Sequence, residues 1–107
     1  MKELRVRVLI EKRLSEEKLR YLLNRFKGEI TENENIFYYL LARILLGKEV
    51  FEPAGGYRTM GKDYLLYRHK RTNQRFIVEK PFLGHQEEEV AKERLRRILE
   101  EENLVLE

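Results

Sequence analysis

Ile36-Phe37-Tyr38-Tyr39-Leu40-Leu41-Ala42-Arg43-Ile44-Leu45-Leu46 carries one charge, at Arg43, in a chain otherwise crowded with Lys, Arg and Glu. That contrast makes it the place where a core nucleates. Thr31 followed by Glu34 forms a capping-box pattern just upstream, and Asn33 is a competing cap. The stretch therefore reads as a helix that ends before Gly47. Its apolar residues run around most of the circumference, so it must be covered on several sides. If one chain cannot supply that cover, the side bearing Tyr38, Tyr39 and Leu46 meets another subunit.

Upstream, Ser15 is an N-cap, with Glu16 and Glu17 at the positive end of the helix dipole. Leu19, Leu22, Leu23 and Phe26 fall at i, i+3, i+4 and i+7, one apolar face, and Gly28 is placed to end that helix. Before it, Leu4 to Lys12 alternate: Leu4, Val6, Val8 and Ile10 on one side, Arg5, Arg7 and Glu11 on the other. Period two with β-branched residues predicts a half-buried strand.

Downstream, Val50 and Phe51 form a short strand before Pro53, Ala54-Gly55-Gly56 reads as a turn or close-approach point, and Tyr57 to Met60 as a strand closed by Gly61. Tyr64 to Lys70 and Arg75 to Lys80 make a β-hairpin in which Asn73 takes the positive φ. Residues Gln86 to about Asn103 form a further helix with a narrow apolar stripe: Val90, Ala91, Leu95, Ile98 and Leu99. Leu104, Val105 and Leu106 follow as an apolar tail.

A chain of 107 residues is one domain by size. Its 22 Lys and Arg nearly balance 19 acids, of which Asp63 is the only Asp. High Glu, Lys and Arg without Cys resembles hyperthermophile usage, where ion-pair networks gain value with temperature. The lack of Cys excludes disulfides, thiolate catalysis and Cys-ligated metal sites. The N-terminus has no apolar signal segment, and the run at 36–46 falls short of the roughly 20 residues that span a bilayer. A cytoplasmic protein that does not enter the membrane is expected.

The charge is unevenly spread. Between Tyr57 and Lys80, seven basic residues face only Asp63 and Glu79, and Tyr57, Tyr64, Tyr67 and Phe76 are interleaved with them. Basic groups neutralise phosphates and aromatic rings stack unpaired bases, the two requirements for holding a single strand. Phosphate contacts are assigned to Arg58, Lys62, Arg68, Lys70, Arg71 and Arg75, and base stacking to Tyr57, Tyr64 and Tyr67. With a two-residue turn at Thr72-Asn73, Arg68, Lys70 and Arg75 share a face with Tyr64, Leu66, Ile77 and Glu79. Leu65, Tyr67, Phe76 and Val78 then face the core. The plainer alternative is that the aromatics are core and the charges a solvated surface.

Other chemistry is thinly represented. Gly55, Gly56 and Gly61 match neither phosphate-loop pattern. His69 and His85 have no metal-site spacing, although His69, among basic neighbours, is a further candidate phosphate contact. Asp63 and Glu79 on successive strands resemble the Mg-binding pair of restriction-type nucleases, but Pro81 stands where their Lys belongs, and Lys80 is displaced by one. The segment Gly61 to His69 resembles HicA-type toxin RNases, without a His at the catalytic position.

Three strands followed by Phe82 and then Glu87-Glu88-Glu89-Val90-Ala91 are similar to integrase arm-binding domains, which insert a three-stranded sheet in the DNA major groove. Over the whole chain, Cys-free composition, basic and aromatic strands and a terminal amphipathic helix resemble the ThermoDBP-related single-stranded-DNA-binding proteins. That likeness implies an oligomer holding single strands in a basic, partly apolar cleft. It carries no residue assignments.

The expected fold is α+β: a small antiparallel sheet, made of the N-terminal strand and a basic hairpin or meander, packed against about three helices. The expected function is non-enzymatic nucleic-acid binding, single-stranded DNA first, with RNA or duplex DNA as alternatives. No catalytic residue, metal or cofactor is assigned. A homo-oligomer through apolar helix surfaces is expected. The competing functions are an assembly module, with a helix as the seam, and a Mg-dependent nuclease.

Overall fold

A computed structural model describes residues 4–104, and the fold is α+β. The apolar tail reaches beyond it, since residues 105 and 106 lie outside the described residues. The order is β1 (Leu4–Arg5), α1 (Val6–Arg13), α2 (Glu16–Glu29), α3 (Glu34–Gly47), β2 (Phe51–Thr59), β3 (Lys62–His69), β4 (Arg75–Glu79) and α4 (His85–Glu101). Strands β2, β3 and β4 form an antiparallel meander, and β1 adds a short parallel edge beside β4, giving the order β1-β4-β3-β2.

The α3 stretch is the centre of the molecule. Asn33, rather than Thr31, caps it, its side chain accepting from the Asn35 N–H at 3.0 Å. Ile36 to Ala42, Ile44 and Leu45 are all buried. Phe26 from α2 meets Phe37 edge-on at 5.2 Å. The sheet covers another side of α3, and α1 and α4 the rest. Tyr38 and Tyr39 are each only 4% exposed within one chain. A second subunit is therefore not needed to cover α3, and the expected oligomer seam on that helix is corrected. Gly47 lies inside the helix, and Glu49 takes the left-handed conformation after it, at φ 62°. Gly28 likewise lies within α2, which closes at Ile30.

The N-terminal strand is a second correction. Only Leu4 and Arg5 pair with the sheet, and Val6 to Arg13 are helical. Val6, Leu9 and Ile10 are buried together. They fall at i, i+3 and i+4, which a helix places on one side, whereas a strand would turn Leu9 to solvent. Arg7 and Glu11 add an i,i+4 ion pair at 2.7 Å. Alternation and helical spacing coexist in this segment, and burial of Leu9 favours the helix. The fold thus has four helices among the described residues rather than three.

Strand β2 runs straight through Pro53 to Gly56, where a turn was expected. Ala54 is the extra residue of a bulge between Pro53 and Gly55, and Gly55 supplies φ 109°. Gly56 is required by close approach: a Cβ there would stand 2.7 Å from the Tyr64 carbonyl oxygen. The β2–β3 turn is Met60-Gly61, both at positive φ, as a two-residue hairpin turn demands.

Helix α4 begins at His85, and Leu95, Ile98 and Leu99 pack into the core. Its far end is tied to α2 by charge. Glu102 accepts from Lys18 at 2.6 Å, and Arg25 bonds Glu29 at 2.8 Å and Glu101 at 2.8 Å. Among the described residues, no helix is long and apolar enough to cross a membrane.

Candidate nucleic-acid interface

Helices cover one face of the sheet, and the other is open except around Ile77, which is 8% exposed. The covered face carries Phe51 from β2, Leu65, Tyr67 and His69 from β3, and Phe76 and Val78 from β4. The pairing then puts Lys62, Tyr64, Leu66 and Arg68 of β3 on the open face. They stand beside Glu52, Gly55, Tyr57 and Thr59 of β2 and Arg75, Ile77 and Glu79 of β4. Arg5 of β1 pairs with Ile77 and extends that face at the edge.

The β3–β4 loop differs from the expected turn. It holds four residues, Lys70 to Asn73, closed by the Asn73 N–H donating to the His69 carbonyl at 2.9 Å, with Asn73 at φ 60°. Arg75 pairs with Arg68, not Lys70. The register is displaced by two residues, so every strand side chain keeps its expected face. Lys70 alone changes place: it sits in the loop with Arg71.

The bulge decides the aromatic part. Unbroken alternation from Phe51 would send Tyr57 to the helix side. One extra residue at Ala54 reverses the parity, and Tyr57 emerges on the open face opposite Tyr64. Their rings stack, 5.2 Å between centroids and 24° between planes, with Tyr57 44% exposed.

Tyr67 is corrected as a base-stacking residue. It is 3% exposed and its ring stacks on Phe51 beneath the sheet. Its hydroxyl pKa is raised by burial, against an opposing pull from Arg43. His69 is corrected as a phosphate contact. It too is buried, and its Nδ1 accepts the backbone N–H groups of Arg71 at 3.2 Å and Thr72 at 3.3 Å, which shapes the loop.

The cations are partly paired. Arg68 holds Glu52. Lys62 lies 3.7 Å from Glu79, and Arg58, exposed on the opposite face from Tyr57 and Tyr64, lies 3.8 Å from Asp63. Among the described residues, Arg5, Lys70, Arg71 and Arg75 have no acidic group within ion-pair distance. Arg68 and Arg75 stand directly across from each other, a like-charge cross-strand pair that costs stability unless an anion sits between them. From Tyr64 to Arg68 along β3 is about 13 Å, so the rings and the basic end are separate stations on one surface.

No family model, no curated protein and no solved structure matches this chain.

The nuclease pair does not converge. Tyr64 pairs with Glu79, which fixes Glu79 on the open face, while Asp63 points to the other. Two carboxylates on opposite faces of one sheet cannot hold one Mg²⁺.

Two features escaped the sequence. Arg5 joins the basic surface through a parallel pairing that no local pattern announces. The other is a buried polar cluster under the sheet. The Tyr39 hydroxyl donates to Glu88, which is 8% exposed, and Arg43 lies 3.8 Å from the same carboxylate. Burial and then the Glu88 contact push the Tyr39 hydroxyl pKa well up. The signal was present as Arg43, the one charge in the apolar run of residues 36–46.

Proposed function

We propose that this protein binds nucleic acid, single-stranded DNA foremost, across the open face of its sheet, and does so without catalysis. The carrying observation is the open face itself. There a repelling pair, Arg68 and Arg75, lies one apolar row (Leu66 and Ile77) from the stacked Tyr57 and Tyr64. Phosphates meet Arg68, Arg75, Lys70, Arg71 and Arg5, with Lys62 at the far end. A base stacks on Tyr57, the more exposed ring. The exposed cations, of which Arg5, Lys70, Arg71 and Arg75 lack an acidic partner among the described residues, favour phosphate binding, and a flat aromatic station favours unpaired bases over a closed duplex.

The likeness to ThermoDBP-related proteins enters this proposal through composition and through basic, aromatic strands joined to a terminal amphipathic helix. Use at high temperature goes with the ion pairs between α2 and α4. Self-association and a cytoplasmic location belong to the same reading.

The test is a triple substitution, Arg68→Ala, Lys70→Ala and Arg75→Ala, on exposed positions. Affinity for mixed-sequence single strands at low salt is expected to disappear while the fold persists. Unchanged binding would sink the proposal.

A further inference from the structure

Away from the sheet's open face, Phe82 is fully exposed and Val90 is 55% exposed. They border a groove of about 500 Å³ whose floor is Ile30, Ile36, Leu83 and Ala91. Exposed apolar side chains beside an apolar groove are the signature of a contact surface. The stripe of α4 that faces the groove reads Glu87, Val90, Ala91, Arg94, at i, i+3, i+4 and i+7. Its ends carry opposite charges. Among the described residues neither Glu87 nor Arg94 has an ion-pair partner; Arg94 reaches only the Glu29 carbonyl oxygen, at 3.4 Å.

That charge order is self-complementary. When two α4 helices cross antiparallel about a two-fold axis between Val90 and Ala91, Glu87 of each copy meets Arg94 of the other. Val90 of each then reaches into the other's groove over Ala91, a small residue of the groove floor that is 8% exposed. The ends of the stripe lie about 10 Å apart, so both ion pairs form together. A two-fold contact repeats every interaction, as an isologous interface must.

We propose that this groove is filled by a second copy of the chain, with α4 pairing antiparallel to α4 and Phe82 of each copy closing over the groove of the other. The inference rests on the self-association reading above and names its surface. The contact lies on the helical side, so the sheet's open face is left for its own ligand.

Sedimentation equilibrium of the full chain tests it. The wild-type protein is expected at twice the 13.1 kDa chain mass. Glu87→Arg and Arg94→Glu, each alone, place like charges across the axis and weaken the dimer about tenfold or more. The combined Glu87→Arg/Arg94→Glu protein regains wild-type association, because the swapped charges meet again. Phe82→Ser, at a fully exposed position, also shifts the protein to monomer. A wild-type monomer throughout the micromolar range leaves the groove to a different partner and overturns both this seam and self-association. A dimer indifferent to Glu87→Arg, Arg94→Glu and Phe82→Ser overturns the seam alone.

Discussion

Arg68 stands directly across the β3–β4 pair from Arg75 and is bridged to Glu52 on its other side, while among the described residues Arg75 has no acidic partner. The Arg68–Arg75 juxtaposition itself is unfavourable to the folded protein unless an anion lies between them. Opposed like charges on adjacent strands cost roughly 0.2–1 kcal/mol. Replacing Arg75 with Thr, which suits a strand, is therefore expected to raise stability by up to about 1 kcal/mol and to weaken oligonucleotide binding. Urea unfolding and a binding titration on the same variant check both halves. A variant that is less stable and binds as well as wild type speaks for a merely solvated surface.

Tyr57 and Tyr64 make the second expectation. Each stacked base contributes about 1–3 kcal/mol. Tyr57→Ala is expected to weaken single-strand affinity about tenfold, with little change in stability because the ring is exposed. Tyr64→Ala loses affinity and some stability, since its ring is partly covered. Tyr67→Ala behaves differently: it empties a buried site, costs about 3–5 kcal/mol on the scale of other buried aromatics, and reports on folding rather than binding. Anisotropy titrations beside thermal melts separate the three.

The sequence announced α3 through its contrast with everything around it, and α2 through Ser15, whose side chain accepts from the Lys18 N–H as expected. It also divided the hairpin faces correctly although the turn has four residues and not two. A displacement by two preserves strand parity. The bulge at Ala54 and the helix at Val6 were hidden for related reasons. A Gly-Gly pair serves a turn and a bulge equally well. Val6, Leu9 and Ile10 satisfy a helix while Val6, Val8 and Ile10 satisfy a strand. In both cases long-range packing decides. Strand parity places Tyr67 in the core while its ring suits a stacking site, and burial upholds the former.

The buried cluster predicts a stability phenotype without a binding one. Glu88→Ala removes the acceptor for the buried Tyr39 hydroxyl and the carboxylate 3.8 Å from Arg43, whose side chain is a third exposed and keeps solvent. Leaving the Tyr39 hydroxyl without its acceptor costs about 1–3 kcal/mol. Tyr39→Phe removes only the hydroxyl and is expected to cost about 1 kcal/mol. Denaturant midpoints give both values, and the oligonucleotide affinity of Tyr39→Phe at a temperature where it is fully folded stays at the wild-type level.

Acid is expected to loosen the junction of α2 with α4. The Lys18 ammonium holds the Glu102 carboxyl below its ordinary pKa, and Arg25 does the same for Glu29. A carboxylate whose folded pKa is depressed stabilises the fold above its unfolded value, 4.5, and that contribution fades as the pH falls through the folded value. Melting temperature should hold steady above this pH and decline below it. Lys18→Met flattens the decline by removing the ammonium responsible. An acid limb equally steep in that variant would place the sensitivity elsewhere.

The most direct test of the central claim is a fluorescence titration of single-stranded DNA, duplex DNA and RNA at two salt concentrations. With Arg5, Lys62, Arg68, Lys70, Arg71 and Arg75 on phosphates, log K for a single strand is expected to fall against log salt with a slope of about −4. Single-stranded DNA should bind more tightly than the duplex. Absence of binding at low salt, or a tighter hold on the duplex, would contradict the account.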